Sequence, residues 1–264
     1  MHPFLFSIGG FNFPAYGFMV AAGYLAAILY LHNKDYRGAL TRDNAADLIF
    51  YSAAAGILGA KAVFAATYWQ ELGPDFASRL VFVFRSFPYG FVFYGGLAAG
   101  AAAFLFYCRR RKLDFLRTAD NFAPALALAH GFGRLGCFLA GCCYGSPSGG
   151  FLSVAFSDPK CEVPRALLGT PLHPVQLYEA AGNFLIFAGL HFLGRGKAGS
   201  LRGTVLAAYL ASYSALRFSV EFLRGDDRGG FAAGLSPAQI FSAVFAAAAV
   251  FIFIRTRKNG KSNI

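Results

Sequence analysis

The chain has 264 residues, of which 56% are hydrophobic and 14% charged, against roughly 25% charged in an ordinary soluble domain. With a mean hydropathy of +0.49, this excludes an average soluble enzyme, a disordered chain and a disulfide-dense secreted module. The formal charge of +11 would point to nucleic acid in a soluble protein. Here the basic residues sit in short clusters between apolar runs, which is the mark of membrane topology, and nucleic acid is set aside as a partner.

Residues 1–15 carry no Lys or Arg, so the positive n-region of a cleavable signal peptide is missing. At about 20 residues per crossing, the apolar runs predict seven spans: Pro14–Leu31, Ala45–Tyr68, Phe91–Cys108, Ala119–Ala140, Pro174–Leu193, Thr204–Leu223 and Leu235–Ile254. Phe76–Tyr89 alternates apolar residues with Arg79 and Arg85 and is expected to lie in the interface. Counted alternately between spans, the basic residues fall mostly on one side, which predicts the N-terminus outside and the C-terminus in the cytoplasm. Residues 1–264 thus read as one all-α, polytopic transmembrane domain of about seven helices, with a small extracytoplasmic loop region at about 141–173.

Three basic residues fall inside spans: Lys61, Arg134 and Arg217. Each costs about 2.5–3.5 kcal/mol on insertion scales, so each must meet a polar cavity or a counter-charge. Candidate counter-charges are Asp120, Glu179 and Glu221. Glu221 follows Arg217 by four residues and shares its helix face. With Tyr213 it makes a polar stripe on an otherwise apolar helix, a pattern that suits a cavity wall.

The stretch 130–145 is the densest in signal. Gly131, Gly133, Gly136, Gly141 and Gly145 surround Arg134 there. Glycines leave backbone N–H groups open to an anion, and a guanidinium binds phosphate bidentately. A tight helix crossing with a snorkelling Arg explains the same glycines equally well. Tyr94-Gly95-Gly96-Leu97 opens the third span. His173-Pro174-Val175-Gln176-Leu177-Tyr178-Glu179 opens the fifth, with polar groups near the outer interface, although a capped helix end would look alike.

Together these motifs resemble the prolipoprotein diacylglyceryl transferase family, in order and over nearly the whole chain. Tyr16-Gly17 looks like the family's Tyr-Gly opening of the first span, and Gly59-Ala60-Lys61 like its Gly-Ala-Arg. Tyr94-Gly95-Gly96-Leu97 takes the place of its His-Gly-Gly-Leu. Gly133-Arg134-Leu135-Gly136-Cys137-Phe138 is similar to its Gly-Arg-Ile-Gly-Asn-Phe. His173 to Glu179 resembles its His-Pro-Ser-Gln-Leu-Tyr-Glu, and Arg217 with Glu221-Phe222-Leu223-Arg224 its Arg-x-x-x-Glu-Phe-x-Arg. Leu235-Ser236-Pro237-Ala238-Gln239 resembles its Leu-Ser-x-x-Gln.

The resemblance implies an enzyme of the bacterial inner membrane. It would move the diacylglyceryl group of phosphatidylglycerol to the lipobox cysteine of a preprolipoprotein signal peptide, forming a thioether, with membrane lipids around it and no cofactor. Arg134 and Arg217 would hold the phosphate and Tyr94 would stand at the catalytic position of the family's His. Tyr16, Lys61, Gly95, Gly96, Gly133, Gly136, Tyr213, Glu221, His173 and Gln176 would bind substrate. Tyrosine is a poor base at neutral pH, which leaves His130 and His173 as other proton acceptors. Two alternatives stand beside this reading: a related membrane protein that binds phospholipid without transfer, and a thiol-redox membrane protein.

The second alternative rests on the cysteines. Cys137 replaces the signature Asn, and Ala140-Gly141-Cys142 replaces Asn-Gly-Glu. The count of five (Cys108, Cys137, Cys142, Cys143, Cys161) is odd, so at least one is not paired within the chain. A bridge from Cys142 or Cys143 to Cys161 would staple the loop, and buried thiols packing as small apolar groups are the equal alternative. A metal site is the least favoured, because Cys142-Cys143 lacks C-x-x-C spacing.

Overall fold

Apolar runs of membrane length satisfy their backbone polar groups internally, and so they fold as helices. The computed structural model describes residues 2–9, 11–36, 38–86, 90–196, 201–226 and 234–261. Each predicted span is a helix there, within four residues at either end except the last, which runs on seven residues past Ile254 to Lys261. The described helices are α1 (Ala15–His32), α2 (Arg42–Thr67), α3 (Phe76–Arg85), α4 (Phe93–Arg110), α5 (Phe115–Ala140), α6 (Val175–Arg195), α7 (Thr204–Glu221) and α8 (Pro237–Lys261). Four of them, α1, α2, α5 and α8, are long and apolar enough to cross a membrane by length and composition. The protein is an all-α, multi-pass membrane protein. The predicted interfacial stretch holds α3, started by Asp75, whose carboxylate accepts from the backbone N–H groups of Ala77 and Ser78; Tyr89 lies outside the described residues.

Short strands are an addition that the apolar runs did not announce. β1 (Phe4–Ile8) and β2 (Phe11–Pro14) form an antiparallel hairpin with Ser7 opposite Asn12. Gly9 turns it at φ +57°, and Phe6 packs on Phe13. Aromatic residues on both sides of a Gly-Gly pair are a hairpin signal, submerged here by the apolar run that follows. β3 (Val154–Ala155) and β4 (Pro171–Leu172) pair in the loop after α5. Phe156, Cys161, Val163 and Leu172 bury themselves there as a small separate core, flanked by Phe138 and Tyr144.

The chain divides into two compact units. The first comprises Met1–Asp35 and Ala119–Ile264, the second Tyr36–Thr118. In the first, a Cβ at Gly23 of α1 would lie 2.6 Å from the Phe132 Cβ of α5, and one at Gly182 of α6 would lie 2.6 Å from Leu216 of α7. Backbones that close need small residues at the crossing. Ala123, Ala127, Leu190, Val205 and Tyr209 form the core between α5, α6 and α7. The N-terminus of α7 begins at Gly203, which has no side chain to cap it. Asp120 of α5 supplies the cap instead: its carboxylate accepts from Gly203 N at 2.6 Å and Leu206 N at 2.7 Å. Asp120, a candidate counter-charge in the sequence, is thereby committed to backbone donors.

In the second unit α2 and α4 cross through glycine. A Cβ at Gly95 would sit 2.7 Å from the Gly59 carbonyl oxygen, and one at Gly96 would sit 3.0 Å from that of Gly56. The backbones of Gly95 and Gly96 are thus occupied with helix packing. Lys61, buried on α2, donates to the Ser86 carbonyl at 2.8 Å and to its hydroxyl at 3.0 Å, and its Nζ lies over the rings of Phe64 and Phe91. Tyr94 is 44% exposed at the start of α4.

Candidate active site

Glu179 is the hub of the first unit. Its side chain is 1% exposed and meets three guanidinium groups. Arg134 Nε lies 2.6 Å from Oε2. Arg224 Nη1 lies 3.1 Å from Oε1, and Arg217 Nη1 lies 3.8 Å from the same oxygen. Arg217 also holds Glu221, one turn on along α7, at 2.6 Å. Arg224 makes a two-armed contact with Asp226, at 2.8 and 2.9 Å. Burial holds the Asp226 carboxyl above its ordinary value despite that cation beside it.

Three positive and three negative groups therefore balance. A buried charge left without its partner would cost several kcal/mol, and here α5, α6, α7 and the segment after α7 each contribute to the balance. Arg134 stands apart from the other two cations. Its side chain is 20% exposed, against 7% for Arg217 and 3% for Arg224. Its Nε is the atom nearest Glu179.

Backbone pairing brings Arg224 into this cluster. Gly145 bridges Arg224 antiparallel and Pro147 bridges Leu172. Gly145 N donates to the His173 carbonyl, Ser146 N to that of Leu223, and Gly225 N to that of Tyr144. A Cβ at Gly145 would collide with His173 and approach the Leu223 oxygen to 2.9 Å. His173 thus serves this ladder through its backbone. Gln176 is fully buried; its Nε2 donates to the Cys142 carbonyl at 2.9 Å, while its Oε1 has no hydrogen-bond partner among the described residues.

The glycines of 130–145 divide by task. Gly131 is packed on Phe184, and Gly136 on Tyr16 and Met19 of α1. A Cβ at Gly133 would meet nothing within 4 Å. Tyr16, 46% exposed, lies within electrostatic reach of Arg134. Tyr213 lies within reach of Arg134 too, stacked on Tyr209 and 5.2 Å from the ring of His130. His130 Nδ1 and the Tyr209 hydroxyl are 3.0 Å apart. Arg134, Arg217, Glu221, Tyr213, Tyr16, Gly133, Gly136 and Gln176 all belong to this unit, whereas Lys61, Tyr94, Gly95 and Gly96 belong to the other.

Two features escaped the sequence reading. Arg224 and Asp226 have no role in the sequence reading; Arg224 lies just past the end of α7 and approaches Glu221 to 4.0 Å. For the thiols, spacing disfavours a metal site. None of the five cysteines is in a disulfide, so of the two alternatives left open by the sequence, the bridge to Cys161 is not formed. The Sγ atoms of Cys137, Cys142 and Cys143 instead lie within 4.8 Å of one another. The cause is conformational. α5 ends at Ala140, and Gly141 at φ +79° and Cys143 at φ +60° reverse the chain, which returns two thiols to the third.

In a multi-pass helical membrane protein, a charge-balanced cluster of guanidinium and carboxylate groups buried among the helices marks a candidate functional site. The chain belongs to the prolipoprotein diacylglyceryl transferase family, whose sequence profile matches residues 3–255. It is 34% identical over 255 residues to the phosphatidylglycerol–prolipoprotein diacylglyceryl transferase of Clostridium tetani, covering 96% of this chain and 97% of the relative. Transferase 2 of Clostridium perfringens is 34% identical over 238 residues, covering 90% and 88%. The Geobacter sulfurreducens transferase is 32% identical over 233 residues, covering 85% and 83%. Membership supports the family's general reaction class, diacylglyceryl transfer in a bacterial membrane.

Proposed function

We propose that this protein transfers the diacylglyceryl group of phosphatidylglycerol to the lipobox cysteine of a preprolipoprotein signal peptide, in the bacterial inner membrane. It would do so with seven spans, the N-terminus outside and the C-terminus cytoplasmic. The observation that carries this reading is Arg134: a guanidinium held to Glu179 at its Nε, and the most exposed of the three cations in a cluster whose six charges balance. Such a fork suits the single negative charge of a phosphodiester. The open space over Gly133, one residue away, leaves room for the ligand.

In this reading the substrate brings the nucleophile, and the protein binds and orients. Arg134 takes the phosphate oxygens, and Arg217, fixed by Glu179 and Glu221, adds positive potential as charge gathers on the departing phosphate. Tyr16 and Tyr213 donate to headgroup oxygens. By the family resemblance, Gly136, His173 and Gln176 of the first unit contribute to substrate binding, as do Lys61, Gly95 and Gly96 of the second, and Tyr94 takes the position of the family's His. The acceptor cysteine, its thiol proton given up to water, forms a bond from sulfur to the glyceryl carbon as the carbon–oxygen bond to phosphate breaks, and the electron pair leaves with glycerol phosphate.

The test is complementation of a bacterium depleted of its own transferase, with mass spectrometry of a lipobox reporter. The added diacylglyceryl mass is expected. Its absence, with the protein well expressed in membranes, would overturn the transfer reading in favour of lipid binding alone.

A further inference from the structure

The three-thiol cluster is outside the machinery assigned above. Cys137 is buried on the last turn of α5, and Cys142 and Cys143 are half-buried in the turn that follows. Their sulfur atoms lie within 4.8 Å of one another. In a tetrahedral zinc site with Zn–S bonds near 2.3 Å, neighbouring sulfurs stand about 3.8 Å apart. The cluster therefore needs to contract by less than about 1 Å to enclose an ion.

The turn is held in a form that makes this possible. A non-glycine residue at positive φ costs about 1–2 kcal/mol and persists only where its surroundings impose it. Cys143 adopts φ +60°. Gln176 clamps the turn by its bond to the Cys142 carbonyl, which is the kind of support that orients metal ligands. A Cβ at Gly141 would press on Cys161 at 2.9 Å, so the reversal is fixed from its other side as well.

We propose that Cys137, Cys142 and Cys143 bind one Zn²⁺ as three thiolates and leave its fourth position open to an incoming thiol. Thiolates select soft or borderline ions such as zinc over hard ones, and three protein ligands with one open position is the pattern of zinc sites that exchange a ligand. Three thiolates and Zn²⁺ carry one net negative charge. Two guanidinium groups, each also paired with a carboxylate, lie nearby: Arg134 shares the α5 face of Cys137, three residues before it, and Arg224 lies within electrostatic reach of Cys143. An incoming thiol would bind as thiolate and release its proton to water. That the thiol is the acceptor cysteine rests on the transfer reading; the zinc site itself does not.

The full-length protein, purified in detergent without chelator, is expected to hold about one equivalent of zinc by elemental mass spectrometry. The triple variant Cys137→Ser, Cys142→Ser, Cys143→Ser is expected to hold none, and Cys161→Ser to keep it. Wild-type protein loaded with Co²⁺ avoids any question of folding in the variant. It is expected to show thiolate-to-cobalt charge-transfer absorption, and its ligand-field bands are expected to shift with a soluble single-cysteine peptide but not with the serine version. Absence of zinc, zinc retained by the triple variant, or a Co²⁺ spectrum without thiolate bands would overturn the site. A spectrum indifferent to the cysteine peptide would overturn the open position. Zinc and a peptide-responsive spectrum in a protein that fails to modify the lipobox reporter would leave the site standing and remove the transfer reading.

Discussion

Arg134 and Glu179 are joined at 2.6 Å from Nε to Oε2, and Arg134 is the most exposed of the three cations around that carboxylate. Arg134→Ala is expected to lower transfer by about 10²–10³-fold, the usual loss on removing a donor to developing charge. Arg134→Lys should recover little, because an ammonium cannot offer the same fork. Glu179→Gln acts differently. It leaves three cations around a neutral amide and should destabilise the fold by about 3–5 kcal/mol. Thermal unfolding in detergent, run beside the reporter assay, separates the two effects.

Gly133 and Gly145 make opposite predictions from one residue type. Gly133→Ala meets open space, and in a helix the exchange should stabilise by about 0.5–1 kcal/mol. If lipid occupies that space, KM for phospholipid rises while the melting temperature does not fall. Gly145→Ala drives a methyl group into His173 and the backbone of Leu223, and a loss of about 1–3 kcal/mol is expected. Melting curves of both variants check this directly.

Asp120 caps α7 across the unit. Asp120→Ala should cost about 0.5–2 kcal/mol, with Asp120→Asn milder because it keeps an acceptor oxygen. The rate of transfer per folded molecule should be unchanged for either, since the carboxylate is committed to the helix end.

Tyr94→Phe removes a hydroxyl from the position where the family carries histidine. If that hydroxyl handles a proton, transfer should fall by about 10²-fold. Tyr94→His should restore it and move the rate optimum toward neutral pH, where imidazole accepts a proton readily. Rates of the three proteins between pH 6 and pH 9 test the assignment, and three coincident profiles would remove it.

The helices were legible because membrane-length apolar runs dominate every local preference; α1, α2, α5 and α8 could scarcely be read otherwise. Arg217 and Glu221 were legible because four residues on a helix is a contact. Glu179 was visible as a counter-charge, but not as the meeting point of three cations. That role is set by α5, α6 and α7 crossing at one depth, together with a backbone ladder that draws in Arg224. The thiol cluster was hidden for a different reason. Spacing reports on chain that continues in one direction, and here Gly141 and Cys143 turn it back.

The order of these charges along the chain bears on biogenesis. Arg134 is synthesised before Glu179, and Glu179 before Arg217 and Arg224. A nascent chain that stops short of α6 carries an uncompensated guanidinium in α5, at the insertion cost such a group incurs in hydrocarbon. The arrival of α6, which brings Glu179, is therefore expected to favour integration of α5, and a product truncated before it would leave that cost uncompensated.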